Sequence, residues 1–515
     1  MEVNMKKFVT DSCLIVISFT VLFIGCSSVY YLESVDRNIL GTSPKYVSNA
    51  AIKSFRSQVN SIVNAIHFQS AVIGIHIEDY QTGEILYSLN PNTLLMPASN
   101  MKLFTTTSSL ALLGPDFRYQ TSLFYDGTIE NGVLNGNLII RGSGDPTISG
   151  RYNGGNPVEL FENWADTLKA MGIHAINGTV IGDDNLFDDH ELGYSWGWDD
   201  LSYYYAAKIS ALSFNDNCVD IFIVPDDSVG QKPHIFTEPN MSYLQIENDL
   251  EIVPEDSSTR YDFFREEGTE SVRIFGTVKA GKDTIKDWVT VDNPTKYTLA
   301  AFQYVLNENG ITANNISDID DLPVQNIDYK KVSLITTNQS IPLSEIIHTI
   351  NKVSQNFYAE QLQKTLGLKL LNEGSTKKGI EAEKIWFSRI GLNPDEIFIV
   401  DGSGLSRHNL VTAHQIVTIL RGIRNNPNYQ VFYNSLPIGG VDGTLKNRFK
   451  GSNAAGHVFA KTGYVGRVRS LSGFVQAKNG HEYIFSILVN HYPTPTSVVN
   501  NMQDQIVTLL YNLDY

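Results

Sequence analysis

A serine and a lysine three positions apart, Ser99 and Lys102, have the residue types that serine acyl-transfer chemistry requires. Positions three apart share one face of a helix, so the Lys102 amine can reach the Ser99 hydroxyl and act as its base. A serine in the first turn of a helix also lies near free backbone N–H groups, which favour developing negative charge. Because an ordinary lysine is protonated at neutral pH, we expect burial and a second cation to lower the pKa of Lys102.

A Lys-Thr-Gly run supplies this second cation, Lys461, just before a strand-like segment. Thr462 can bond a substrate carboxylate, and Gly463 lets the substrate backbone approach closely. A Ser-x-Asn element lies between two helical segments, where Ser354 can relay a proton and Asn356 can hold a substrate amide. Each motif is common by itself, but their order and setting together predict an acyl-transfer enzyme.

The elements around these motifs predict one α/β domain whose sheet uses both ends of the chain. Strands are expected early, at 71–80 and 84–89, followed by a helix that opens near Ser99. An Asn-Gly pair at 479–480 predicts a hairpin late in the chain. Between about 119 and 321, many short strands separated by Gly, Asn and Asp indicate largely β material inserted into this domain.

Together the three motifs resemble those of the penicillin-binding protein and serine β-lactamase superfamily. The long stretch between Ser99 and Ser354 resembles the low-molecular-mass class C penicillin-binding proteins, the D-alanyl-D-alanine carboxypeptidase/endopeptidase family. Other stretches similar to this family are Gly144-Asp145-Pro146, Ser210-Ala211-Leu212, Asp401-Gly402-Ser403-Gly404-Leu405-Ser406-Arg407 and Gly440-Val441-Asp442-Gly443-Thr444-Leu445. The resemblance implies an α/β fold: a penicillin-binding/β-lactamase-like transpeptidase domain, with an antiparallel sheet flanked by helices, and two largely β inserted domains.

The resemblance also implies boundaries along the chain. They are a lipoprotein-type signal peptide (1–26), a tether (27–56), the penicillin-binding domain in two parts (57–118 and 322–515), inserted domain II in two parts (119–142 and 214–321) and inserted domain III (143–213).

The resemblance further implies that Ser99 forms an acyl-enzyme on peptidoglycan peptides or β-lactams, with Lys102 as its base. Ser354 would relay a proton, and Asn356 would hold the substrate. The oxyanion would be bound by the backbone N–H groups of Ser99 and Tyr464. No cofactor is implied, and the oligomeric state stays open.

Lys461 and Thr462, with Gly463 beside them, would meet the terminal carboxylate of the substrate. The family often has Ser or Thr next, and its hydroxyl helps to bind this carboxylate. Here Tyr464 stands in that position, which predicts a weaker carboxylate contact and weaker exopeptidase than endopeptidase activity. Asp183, or the adjacent Asp184 if the register is shifted by one, matches the inserted-domain aspartate that meets a diaminopimelate side chain; the alternative is that Asp183 caps a turn.

Other functions agree less well with the sequence. Gly193 to Gly197 matches the nucleophile elbow of α/β-hydrolases around Ser195, but no apolar strand precedes it. A β-lactamase needs a group that activates water, and the sequence identifies none. A penicillin sensor without catalysis is opposed by the intact set of motifs. No metal is expected, because neither His190 nor His481 continues to a second histidine at metalloprotease spacing.

Charge and cysteine content bear on partners and location. With 39 Lys and Arg against 55 Asp and Glu, the net charge of -16 argues against nucleic-acid binding. Lys6 and Lys7 precede an apolar stretch that ends in a lipobox-like run at Cys26, which predicts export to the periplasm and a lipid anchor. A plain signal peptide or an uncleaved anchor helix are the alternatives. Cys218 would then be the one thiol of the mature chain, too few for an internal disulfide.

Overall fold

The computed structural model describes residues 49–152 and 154–515. The predicted signal peptide with Cys26, and most of the predicted tether, lie outside these residues. The helices are α1 (Ala50–Val63), α2 (Met101–Leu113), α3 (Glu159–Ala170), α4 (Pro294–Glu308), α5 (Leu343–Lys352), α6 (Asn356–Leu371), α7 (Thr376–Arg389), α8 (Ala413–Arg424), α9 (Tyr429–Ser435) and α10 (Thr496–Tyr511). None of these described helices has the length and apolar character needed to cross a membrane.

The strands fall into an early, a middle and a late group. The early group is β1 (Val72–Asp79), β2 (Ile85–Leu89), β3 (Gln120–Tyr125), β4 (Thr128–Glu130), β5 (Val133–Asn135), β6 (Leu138–Arg141) and β7 (Ala175–Asp183). The middle group is β8 (Cys218–Val224), β9 (His234–Glu238), β10 (Gln245–Val253), β11 (Arg260–Arg265), β12 (Ser271–Lys279), β13 (Ile285–Thr290), β14 (Thr312–Asp318) and β15 (Ser333–Gln339). The late group is β16 (Val458–Val465), β17 (Val468–Gln476) and β18 (Glu482–Asn490).

A five-stranded antiparallel sheet joins the two ends of the chain in the order β16-β17-β18-β1-β2. Along β18, Phe485 and Ile487 face a core shared with α1 and α10, whereas Ile484 and Leu488 face a core shared with α2, α6 and α8. Both faces of the sheet are therefore covered by helices. Successive side chains of a strand point to opposite faces, so a strand that is apolar throughout must be covered on both. The predicted fold class and the late hairpin are confirmed.

Helix α1 corrects the predicted end of the tether. Its first turn is capped by Asn49, whose side chain accepts from the Ala51 N–H. Ile52, Phe55 and Val59 recur on one helical face and are buried in the core shared with α10. The folded domain therefore begins before residue 56, because a short amphipathic helix had been interpreted as tether.

The inserted region is largely β, but its boundaries differ from the prediction. One sheet has the order β15-β3-β6-β7-β5-β4, with β14 also paired to β7. Strand β7, predicted to lie in domain III, pairs in parallel with β6, predicted in domain II. Strand β15, predicted in the penicillin-binding domain, pairs with β3. Turn signals locate strands, but they do not say which distant strand each will join.

Two three-stranded sheets, β13-β8-β9 and β10-β12-β11, complete the inserted region. Residues of these sheets share one apolar core with the larger sheet and with α3 and α4. Aromatic side chains of Phe161, Trp164 and Phe302 pack at the centre of that core. The chain returns to the catalytic domain at Ser340, whose backbone and hydroxyl bond the backbone of Tyr119.

Candidate active site

The turn that carries Ser99 is tight. Residues Ala98–Asn100 form a short 3-10 turn directly before α2, and Ala98 has a left-handed φ of 46°. Asn100 Nδ2 donates to the backbone oxygen of Lys461 at 3.0 Å, which ties the turn to strand β16. A Cβ at Gly463 would lie 3.0 Å from Ser99 N and 2.0 Å from Ser470 Oγ, so this close approach requires glycine.

Lys102 lies in the first turn of α2 and is fully buried. Its Nζ is 3.0 Å from Ser99 Oγ, 2.6 Å from Asn356 Oδ1 and 2.7 Å from the backbone oxygen of Ser403. Burial lowers the pKa of Lys102 to about 7, although the carboxylates of Glu360 and Asp401 act in the opposite direction. A neutral amine is therefore available within hydrogen-bond distance of the Ser99 hydroxyl.

The Ser-x-Asn element joins α5 to α6. Ser354 has a left-handed φ of 64°, and its Oγ accepts from Lys461 Nζ at 2.8 Å. Asn356, the first residue of α6, accepts from Lys102 and donates through Nδ2 to the backbone oxygen of Tyr205 at 2.7 Å. This asparagine therefore connects the lysine of the catalytic domain to a backbone group of the inserted region.

Lys461 is the second buried lysine of the site. Burial, then the neighbouring Lys102 and Arg469, hold the pKa of Lys461 well below its usual value. Beside it, Thr462 Oγ1 contacts Thr444 Oγ1 at 2.8 Å. These groups bring an amine and two hydroxyl groups together, and each can donate a hydrogen bond to an anionic substrate end.

These elements surround one cavity of about 610 Å³. Predicted residues that line it are Ser99, Ser354, Asn356, Thr462 and Tyr464. Arg407 and Thr444, which lie in the stretches similar to the family, line it too. The sequence prediction missed Asp200, Tyr204, Tyr205 and Arg469. Tyr464 is 56% exposed, so its side chain borders the cleft rather than filling it.

Asp183 is not among the residues that line this cavity. It is buried at the end of β7, where its carboxylate accepts from the Tyr329 hydroxyl and, at 3.1 Å, from the Asn185 N–H. These are the contacts of a turn cap, which was the alternative stated above. They give the predicted contact with a substrate amine no support.

A buried loop at residues 401–406, here called the 401–406 loop, contacts Lys102 through the backbone oxygen of Ser403. The Glu360 carboxylate accepts from Gly402 N at 2.9 Å and from Ser403 N at 2.8 Å. Asp401 accepts from Gly404 N at 2.8 Å. Burial and the nearby Asp401 raise the pKa of Glu360 to about 7. Glu360 was missed because a glutamate inside a helix pattern looks like an ordinary surface residue.

Two further candidate sites lie away from this cavity, one at Ser195 and one at a group of aspartates. Ser195 lies in an exposed loop with no strand directly before it, so the nucleophile-elbow alternative is wrong. Asp184, Asp318 and Asp320 are close enough to hold a metal ion, a grouping not expected from the sequence. Asp184 also accepts from two hydroxyl groups and Asp318 from an asparagine amide.

A serine paired with a buried lysine, a Ser-x-Asn turn and a Lys-Thr-Gly edge strand on an antiparallel sheet define the penicillin-binding class of serine acyl-transfer proteins. Within that class, the chain belongs to the D-Ala-D-Ala carboxypeptidase 3 (S13) family, which it matches over residues 55–513. It is therefore an enzyme, a serine peptidase. The predicted resemblance to low-molecular-mass class C penicillin-binding proteins is confirmed.

Individual relatives agree with this assignment. The D-alanyl-D-alanine carboxypeptidase of Actinomadura sp. (strain R39) is 30% identical, over 92% of this chain and 87% of the relative. The D-alanyl-D-alanine carboxypeptidase DacB of Haemophilus influenzae is 26% identical, over 82% and 86%. The crystal structure of penicillin-binding protein 4 (dacB) from that organism aligns with a TM-score of 0.76 at 25% identity, covering 88% of this chain and 99% of the other.

Proposed function

We propose that this protein is a serine-type D-Ala-D-Ala carboxypeptidase and endopeptidase that cleaves peptidoglycan stem peptides and crosslinks through an acyl-enzyme on Ser99. The observation that carries the proposal is the 3.0 Å contact between Lys102 Nζ and Ser99 Oγ, with Lys102 fully buried. A buried lysine whose pKa is lowered to about 7, next to a serine hydroxyl, is an arrangement that can activate a weak nucleophile. The family to which the chain belongs supports the substrate class.

The reaction follows from this geometry. Ser99 Oγ attacks the carbonyl carbon of the D-alanine at the cleaved bond and gives its proton to Lys102 Nζ, while the N–H groups of Ser99 and Tyr464 bind the oxyanion. The C–N bond then breaks, and the leaving amine receives a proton relayed through Ser354, which leaves an ester on Ser99. Water, deprotonated by Lys102, hydrolyses this ester and restores the serine. The leaving amine is free D-alanine in the carboxypeptidase reaction and a neighbouring peptide's side-chain amine in the endopeptidase reaction.

The test is covalent labelling with a penicillin, followed by digestion of purified muropeptides. We expect one molecule of labelled penicillin per chain, located on Ser99 by peptide mapping, and release of D-alanine and of monomers from crosslinked dimers by mass spectrometry. Ser99→Ala should abolish both. Ser195→Ala, in an exposed loop, is the matched control and should change neither. Label on another serine would contradict the proposal, and rapid turnover of penicillin would indicate a β-lactamase instead.

We also propose that the protein is exported and anchored by a lipid on Cys26, which lies outside the described residues. The supporting observation is the basic and apolar N-terminal pattern that ends at this cysteine. The full-length protein should then partition into detergent, and Cys26→Ala should abolish this partitioning. An N-terminus mapped to another residue in the secreted protein would point to a plain signal peptide.

A further inference from the structure

Arg469 is one of the residues that line the active-site cavity. It is on β17 directly opposite Tyr464 on β16, and both side chains line the active-site cavity together with Thr462. Directly opposed residues of an antiparallel pair have their side chains on the same face of the sheet. Tyr464 carries its hydroxyl at the tip of a half-exposed ring, so no short hydroxyl follows Gly463 to meet an anion beside Thr462.

The charge of Arg469 has no partner of opposite sign. Its Nε donates to the neutral amide oxygen of Asn500 at 2.6 Å, and its guanidinium lies 5.5 Å from the centre of the Tyr464 ring. Among residues 49–152 and 154–515, no ion pair includes Arg469, and its two terminal nitrogens have no hydrogen-bond acceptor. The nearest relevant carboxylate, Asp504, is already paired with Arg448 at 2.6 Å.

A cation in this setting is costly. Burial, then the nearby Arg448, lower the pKa of Arg469 to about 10. Acidic residues outnumber basic ones in this chain, so a shortage of carboxylates does not explain why Arg469 has no ion-pair partner. A guanidinium with two free terminal nitrogens matches the two oxygens of a carboxylate, and such charge-assisted bonds are strong when partly shielded from water.

We propose that Arg469 is the receptor for the C-terminal carboxylate of the substrate, held in place by Asn500 and stacked against Tyr464. The proposal rests on the function proposed above and adds a residue that decides specificity. Arg469 binds the carboxylate of the departing D-alanine, while Thr462 contacts it from the Lys-Thr-Gly strand. Peptides that end in a free carboxylate are thereby favoured over those in which this position is blocked.

The experiment compares an acylated tripeptide that ends in D-Ala-D-Ala with the same tripeptide ending in an amide. The wild-type enzyme should prefer the acid in kcat/KM by about tenfold or more, the size of one charge-assisted hydrogen bond. Arg469→Met should remove this preference by lowering turnover of the acid only. Asn500→Leu, which keeps the guanidinium but frees it, should give a smaller loss, again confined to the acid.

Arg467→Met is the matched control, because Arg467 lies in the β16–β17 turn just before the strand that carries Arg469, but it bonds the backbone oxygens of Tyr492 and Pro493 and does not line the cavity. It should change neither substrate. Retained turnover of the amide by Arg469→Met shows that this variant is folded. Equal losses on both peptides, or no loss, would overturn the inference while leaving the proposed function intact. A wild-type enzyme that cleaves neither peptide would overturn both.

Discussion

At the scale of single residues, the proposed mechanism requires Lys102 to lose its charge. Lys102 Nζ donates to Asn356 Oδ1 and to the backbone oxygen of Ser403 and lies 3.0 Å from Ser99 Oγ, and it has no carboxylate within ion-pair distance among the described residues. Burial lowers the pKa of Lys102, and the carboxylates of Glu360 and Asp401 act in the opposite direction. The balance places its pKa near 7, where small changes in the surroundings alter the fraction that can act as a base.

Acylation by penicillin should therefore rise with pH through about 7 and level off above it. Below this pH, Lys102 is protonated and cannot take the Ser99 proton, and above it the neutral form prevails. Lys102→Arg keeps the charge but cannot act as a base, so the acylation rate should fall about a hundredfold or more. Stopped-flow measurement of acylation across pH 5–9 checks both expectations.

The control for this prediction is Lys378→Arg, in a second Ser-x-x-Lys run on α7 where the lysine pairs with Glu381 on the surface. It should leave the profile unchanged. A Lys102→Arg variant that acylates at the wild-type rate would mean that Lys102 has only a structural role.

Asp183, in contrast to Lys102, makes contacts that stabilise a turn and does not line the cavity. Asp183→Asn weakens the bonds from Tyr329 and from the Asn185 N–H, so the free energy of unfolding should fall by about 1–2 kcal/mol. Cleavage of diaminopimelate-containing peptides and acylation by penicillin should change equally or not at all. Thermal melts and the two rate measurements check this. Tyr329→Phe should reproduce the loss of stability.

The result that would restore a recognition role for Asp183 is specific. Peptide cleavage would have to fall about tenfold or more while penicillin acylation and stability stayed the same. Such an outcome would require the end of β7 to move towards the cleft when substrate binds.

At the scale of elements, the site is assembled where three backbone segments nearly touch. The 401–406 loop passes so close to the nucleophile turn that a Cβ at Gly404 would lie 1.9 Å from the Ala98 backbone oxygen. Gly404 also has a left-handed φ of 84°. Strand β16 meets the same turn at Gly463. The position of Ser99 therefore depends on glycine at two contacts as much as on α2 itself.

Gly404→Ala should be strongly damaging, because it combines an unfavourable φ with a backbone clash. We expect a loss of about 2–4 kcal/mol in the free energy of unfolding and a large loss of penicillin acylation. Gly480→Ala is the matched control: its φ is 85°, but nothing lies within 4 Å of the added Cβ. It should cost about 1 kcal/mol and leave acylation unchanged. Normal acylation by Gly404→Ala would contradict the contact.

Local signals predicted the elements that form locally. The β17–β18 hairpin follows from its Asn-Gly turn, and α2 follows from the serine-led apolar helix pattern. The assignment of β7 to the larger inserted sheet was not predictable, because its parallel partners lie far along the chain and leave no turn signal between them. Glu360 escaped prediction because its burial exists only once α6 packs against the 401–406 loop.

At the scale of the whole molecule, the inserted region takes part in the site. Tyr205 gives its backbone oxygen to Asn356, and Trp196 Nε1 donates to Asp401 Oδ2 at 3.0 Å. Gln361 on α6 donates to the backbone oxygen of Ser210 at 2.9 Å. Each contact reaches a residue on the Ser-x-Asn helix or the 401–406 loop. Removing the inserted region would therefore disturb the catalytic groups themselves, besides opening one wall of the cleft.

Cys218 allows the separation of the inserted region from the catalytic domain to be measured. It begins β8 in the inserted region, yet its side chain is 1% exposed within the apolar cluster that contains Leu103 and Phe357 of the catalytic domain. Burial also raises the pKa of its thiol, so a thiol reagent can react only when the two parts separate. The rate at which a thiol reagent modifies Cys218 therefore measures how often the inserted region separates from the catalytic domain. A penicillin bound in the cleft between Ser99 and Tyr205 should lower this rate.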